Sequence, residues 1–196
     1  MAEALTKSRT EIKLPDSIKE TSIPGLFIVN REIKFDERGF FREVFRLSEL
    51  KEATGVDFSG QQWNHSRSEA NVLRGLHIEP WNKLVYPVNG KVFAAIADLR
   101  DDSSTFGKVE TFTIDDEHRF ALFVPIGCAN SFCVISDKPV DYMYLVDKEW
   151  QPGKIAIAWD DPDLNIPWPI KKPSLSPDDG KNPKLREMPQ FKDKFK

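Results

Sequence analysis

From Ile23 onward, short apolar runs alternate with turn signals. The runs fall at residues 26–33, 40–45, 83–88, 91–99, 109–114, 120–124, 131–135, 140–146 and 154–159. Between them stand Asn89-Gly90, the acidic and serine-rich residues 101–104, Asp115-Asp116, Pro125-Ile126-Gly127, Asp137-Lys138-Pro139 and Pro152-Gly153. Many short strands at close, fairly even spacing predict an antiparallel sandwich or barrel. Residues 92–99 are apolar at nearly every position, so neither face of that strand can meet water, as in a closed or doubly covered sheet. Helix is scarce. Residues 47–54 form the one convincing case, with Ser48 expected as N-cap, Glu49 in the first turn and Gly55 as the C-terminal stop.

The ends of the chain break this pattern. Residues 1–22 are polar and charged and read as a poorly packed arm, which leaves 23–196 as a single domain. After Trp159 the segments Asp160-Asp161-Pro162-Asp163, Ile166-Pro167-Trp168-Pro169 and Lys171-Lys172-Pro173 are too rich in proline for a sheet interior. This tail is expected to wrap the barrel, anchored by Trp159 and Trp168.

Composition narrows the function. A formal charge of −3 argues against non-specific nucleic-acid binding. No run approaches the roughly 18 apolar residues of a membrane helix, and the first 22 residues lack the apolar core of a signal peptide. Cys128 and Cys133, two thiols in an apolar stretch, fit a reducing compartment better than a disulfide scaffold, and a cytoplasmic protein is expected. His65, His77 and His118 lack metal-pair spacing, so neither a metal nor a cofactor is expected. No glycine-rich phosphate loop and no Gly-x-Ser-x-Gly elbow occurs.

One stretch stands out against the apolar background. Residues 62–83 carry Gln62, Asn64, His65, Ser66, Arg67, Arg74, His77, Glu79 and Lys83. On a regular strand His77 and Gly75 would share one face and Arg74 and Leu76 the other, unless the backbone bends at Gly75. Taken alone, His77 reads more readily as a satisfied core histidine than as a catalyst.

The motifs together say more. Residues 36–45 (Asp36-Glu37-Arg38-Gly39-Phe40-Phe41 and onward), Gln62-Trp63-Asn64-His65-Ser66-Arg67-Ser68 and Asn71-Val72-Leu73-Arg74-Gly75-Leu76-His77 come first. Asp98-Leu99-Arg100, Ser104-Thr105-Phe106-Gly107 and Phe123-Val124-Pro125-Ile126-Gly127 follow. Trp159-Asp160-Asp161-Pro162, Ile166-Pro167-Trp168-Pro169 and Leu175-Ser176-Pro177-Asp178-Asp179 complete the series. In order and number, across about residues 23–191, they resemble the dTDP-4-dehydrorhamnose 3,5-epimerase family of cupin-type barrels.

The resemblance implies an all-β, double-stranded β-helix (jelly-roll) fold and a metal-free, cofactor-free, dimeric enzyme acting on a dTDP-linked 4-keto-6-deoxy sugar. Both C3 and C5 adjoin the C4 ketone, so a base on one face and an acid on the other can invert them through a stabilised enolate. By the same resemblance His77 corresponds to the base, Asp179 to the carboxylate that orients it, Tyr144 to the acid and Lys83 to the enolate stabiliser. Arg38, Glu43, Gln62, Asn64 and Arg74 correspond to nucleotide-sugar contacts, some reaching across the dimer, and Trp150 to a base-stacking aromatic.

This chain departs from the family pattern in places. Asn130 stands where many members carry a histidine, the segment between His77 and Lys83 is short, and Asp178 replaces a common lysine. Tyr142 competes with Tyr144 and Asp178 with Asp179, Lys83 could be an ordinary strand-edge lysine, and Arg38 could be plain turn chemistry. Three activities stay open: 3,5-epimerisation, C3-only epimerisation or ketoisomerisation, and non-catalytic sugar binding.

Overall fold

The structure is a computed structural model that describes residues 17–192 and 194. Residues 1–16 of the expected arm lie outside the described residues, and the rest of that arm carries a strand. In chain order the elements are β1 (Ile18–Glu20), β2 (Phe27–Val29), β3 (Lys34–Asp36), β4 (Gly39–Phe41), α1 (Leu47–Thr54), β5 (Gln62–Ser68) and β6 (Leu73–Ile78). They continue with β7 (Lys83–Pro87), β8 (Val92–Asp98), β9 (Val109–Ile114), β10 (Ala121–Val124), β11 (Cys128–Val134), β12 (Val140–Val146) and β13 (Ile155–Ala156). Two 3₁₀ turns follow, at Asp179–Lys181 and Leu185–Glu187.

The strands build a jelly roll. One sheet has the order β1-β2-β10-β7-β12-β5, the other β13-β6-β11-β8-β9, and β3 and β4 pair only with each other. Antiparallel pairing is nested: β8 with β9, β7 with β10, β6 with β11 and β5 with β12. A long hairpin of four strands each way has thus folded over, sending alternate pairs to opposite sheets.

Three apolar clusters explain why so few strand positions are polar. Between the sheets, Val85, Leu122, Val140 and Tyr142 of one face meet Ala94, Ile96, Ile114 and Phe132 of the other. Outside the six-stranded sheet, Leu50 and Ala53 of α1 pack with Phe27, Leu84 and Phe123. Outside the five-stranded sheet, tail residues Leu164, Leu185, Met188 and Phe191 cover Leu76, Ile78, Ala97 and Ala129. Both faces of β8 are therefore dry, as its sequence requires.

The tail is pinned as well as packed. Trp168 Nε1 donates to the Trp159 carbonyl at 2.7 Å, and its ring sits edge-on to Phe93. Leu185 N–H donates to Asp161 Oδ2 at 2.7 Å. One expectation fails: Ser48 does not cap α1. The helix begins at Leu47, so Ser48 lies inside its first turn, and Arg46 occupies the cap position without a side-chain bond. Gly55 does end the helix, with φ +69°.

Candidate active site

A cleft of about 730 Å³ opens between the two sheets. β12 and β7 supply Tyr142, Tyr144 and Lys83 to one wall, and β6 and β11 supply Arg74, His77, Asn130 and Phe132 to the other. Trp150 and Lys154 from the segment before β13, and Asp178 and Asp179 from the tail, complete the lining.

Arg74 and His77 share this cleft because β6 is irregular. Against β11, His77 pairs with Asn130 and Arg74 with Phe132, so three steps on one strand match two on the other. That bulge cancels the alternation that would separate the two side chains. Gly75 sits in it with φ +121°, and a Cβ there would stand 2.5 Å from Ser131 Cβ and 2.8 Å from the Asn130 carbonyl oxygen. Only glycine fits both the backbone angle and the contact.

His77 Nε2 lies 2.7 Å from Asp179 Oδ1. Asp179 is 6% exposed, and it is this residue rather than neighbouring Asp178 that meets the histidine. Burial works to raise the Asp179 carboxyl, but hydrogen bonding with His77, Ser176 and Asn182 outweighs it and holds the group below the usual carboxylate range. With Asp179 ionised, the tautomer that donates from Nε2 to it leaves the Nδ1 lone pair free.

The facing wall holds Tyr144 and Lys83. Tyr144 is partly buried, and burial raises its phenol while the charge of Arg74 works the other way. Tyr142 is 2% exposed and stacks on Phe132 with centroids 3.9 Å apart, as a core residue does. Lys83 is not at a sheet edge, since β7 runs between β10 and β12. Its ammonium is 5.1 Å from the Tyr144 ring centroid. Burial pushes it down to about 7, with Lys154 adding to the effect. The Glu79 carboxylate is ion-paired with Lys83.

The remaining expected site residues divide. Gln62 and Asn64 are not among the residues that line the cleft, but they contact ones that do or pair with them: Gln62 accepts the Trp150 N–H at 2.7 Å and donates to Asn64 Oδ1 at 2.6 Å, and Asn64 is cross-strand from Tyr144. Trp150 exposes 66% of its surface beside the cleft. Arg74 is held by Ser68 Oγ at 2.8 Å. Arg38 and Glu43 do not line the cleft of their own chain. Arg38 projects from the β3–β4 hairpin and pairs with Asp36, and Glu43 is engaged by Arg31 and Arg46. His65 bonds Asp141, and neither it nor His118 lines the cleft. Glu79 and Lys154 are cleft residues that the sequence reading assigned no role; only the density of polar groups in 62–83 pointed toward Glu79.

Comparison with known proteins identifies the family. The model of the family described as dTDP-4-dehydrorhamnose 3,5-epimerase matches residues 20–187. A protein of that name from Shigella flexneri is 37% identical over 180 residues, covering 89% of this chain and 99% of its own. Another from Methanothermobacter thermautotrophicus is 36% identical over 181 residues, covering 88% and 96%. The Legionella pneumophila epimerase, solved with dTDP-4-keto-L-rhamnose, superposes with a TM-score of 0.81 at 35% identity, covering 86% of this chain and 92% of that one. A 3'-monoepimerase from Streptomyces bikiniensis, solved with dTDP-quinovose, gives 0.79 at 30% identity, covering 84% and 85%. The chain belongs to the dTDP-4-dehydrorhamnose 3,5-epimerase family of isomerases.

Proposed function

We propose that the protein inverts C3 and C5 of dTDP-4-dehydro-6-deoxy-D-glucose to give dTDP-4-dehydro-L-rhamnose. The observation that carries this reading is that His77 and Tyr144 stand on opposite sheets and face one cleft. A sugar ring lying between them offers one face to the base and the other to the acid. His77 Nδ1 takes the proton from the carbon beside the ketone, and the C–H electron pair moves onto the C4 oxygen. Lys83 stabilises that enolate. Tyr144 returns a proton from the other face, and solvent restores both residues.

Arg74 provides charge for the diphosphate, Asn130 a polar contact, and Trp150 a stacking surface for the base, with Gln62 and Asn64 beside the cleft as further polar contacts. The hairpin carrying Arg38 exposes Phe35, Phe40 and Phe41 at 75%, 62% and 66%. Covering that surface with a second copy is the simplest use for it, and a homodimer is part of this reading. Arg38 and Glu43 then serve the partner's cleft. The tail belongs to the same working unit as the barrel, because it supplies Asp179. A cytoplasmic location fits two buried cysteines that remain thiols.

Incubation with dTDP-4-keto-6-deoxyglucose in deuterated water tests the reaction. Deuterium at both C3 and C5 is the expected result. Label at C3 alone gives the second reading, for which the similarity to a C3-specific enzyme speaks. No label with tight dTDP binding would leave only a binding protein.

A further inference from the structure

Glu79 has no part in the proton transfers above, yet it lines the cleft with a side chain only 13% exposed. Its carboxylate contacts Lys83 Nζ, and the lysine side chain is 8% exposed. The connection between β6 and β7 is only four residues long, and this shortness folds Glu79 back over Lys83. The connection is fastened at both ends. Asn82 donates to Asp147 through its backbone at 3.0 Å and its side chain at 2.7 Å, and Lys148 Nζ donates to the Pro80 carbonyl at 3.0 Å. Trp81, 5% exposed, anchors the middle. The contact is therefore built into the backbone.

The groups around Nζ define what this contact does. Glu79 comes from the β6–β7 connection, Tyr144 from β12 and Lys154 from the segment before β13. β10 and β12 place Val124 and Val146 opposite Lys83. Of these neighbours Glu79 alone is an anion, set against one cation, one phenol and apolar walls. A buried amine in such company sheds its proton unless a counter-charge holds it. A neutral amine at that place cannot stabilise an enolate by charge.

We infer that Glu79 is a positioning residue of this site, which fixes Lys83 Nζ at the cleft wall and keeps it charged for the reaction. The inference rests on the function proposed above for what Lys83 does, but not for the Glu79–Lys83 coupling itself.

Two readouts keep these apart. The first is direct titration of Lys83 by NMR of ε-labelled lysine in the ligand-free protein, assigned with Lys83→Arg. In Glu79→Gln the Lys83 midpoint should fall by about one pH unit or more, and Glu79→Asp should fall between this variant and the wild type. The second is the pH profile of deuterium exchange. In Glu79→Gln the basic limb should move down by the same amount, with KM changed less than about threefold. Adding Lys83→Arg to Glu79→Gln should remove that movement, since arginine stays charged. An unmoved Lys83 midpoint in folded Glu79→Gln, or in Glu79→Asp if Glu79→Gln does not fold, overturns the inference. Should the wild type show no exchange while the midpoint still falls, the proposed reaction fails and the coupling stands.

Discussion

His77 Nε2 and Asp179 Oδ1 are 2.7 Å apart although 102 residues separate them in the chain. One belongs to β6 in a sheet and the other to the tail that wraps it. Packing of the tail thus places a carboxylate against the histidine of the cleft. Asp179→Asn should leave the ring in place but lose the charge that fixes its tautomer and stabilises the imidazolium. A fall in kcat of about 10²–10⁴-fold is expected, with dTDP affinity nearly unchanged. Steady-state kinetics beside calorimetric titration with dTDP checks this.

In the proposed reaction Tyr144→Phe removes the proton donor and little volume. kcat should drop by about 10²–10⁴-fold. Because the base survives, exchange of substrate protons with deuterated water should fall less than product formation. Equal losses in the two would place the donor elsewhere. Tyr142→Phe is the control: its hydroxyl lies in the core, and the reaction rate should stay within about threefold of wild type.

Gly75→Ala forces a methyl group to within 2.5 Å of Ser131 Cβ at a backbone angle alanine resists. A stability loss of about 2–4 kcal/mol is expected, measured by chemical denaturation. Any folded fraction should be inactive, since relief requires β6 to shift against β11 and the Arg74–His77 pairing in the bulge to change. Wild-type stability in this variant would contradict the bulge described here.

Asp98, with 0% exposure, accepts hydrogen bonds from Arg100, Ser103 and Thr105. Burial works to raise its carboxyl, but these donors win and hold it far below the ordinary range. A carboxyl depressed in the folded state contributes its full stability above its unfolded pKa of about 3.9, and that contribution is lost progressively as pH falls from there through the lower folded value. Denaturation midpoints should decline below about pH 4. Asp98→Asn should cost roughly 3 kcal/mol at neutral pH and flatten that decline.

How much of this was legible in the sequence depended on what each strand faces. β8, β9, β10 and β12 face apolar neighbours on at least one side, so their runs marked them to within a residue or two. β5 was not visible as a strand because one face looks at a polar cleft and the other at solvent, which erases the alternation. β6 has an apolar outer face under the tail, but its bulge breaks the period and its inner face carries the polar Arg74 and His77. β1 lay hidden in a charged segment, with Ile18 its only buried residue. The candidates His77, Tyr144, Lys83 and Asp179 could all be named from the motifs, and the tail's path decided between Asp179 and Asp178 as the neighbour of His77. Glu79 needed the third dimension, since nothing in Glu79-Pro80-Trp81-Asn82-Lys83 says that the loop turns back on itself.

The most direct test is deuterium exchange by His77→Ala on dTDP-4-keto-6-deoxyglucose, with dTDP binding measured on the same preparation. If His77 is the base, exchange at C3 and C5 falls together by about 10³-fold or more while dTDP affinity stays within about threefold. Exchange retained at either carbon, in a variant that still binds dTDP, would contradict that role.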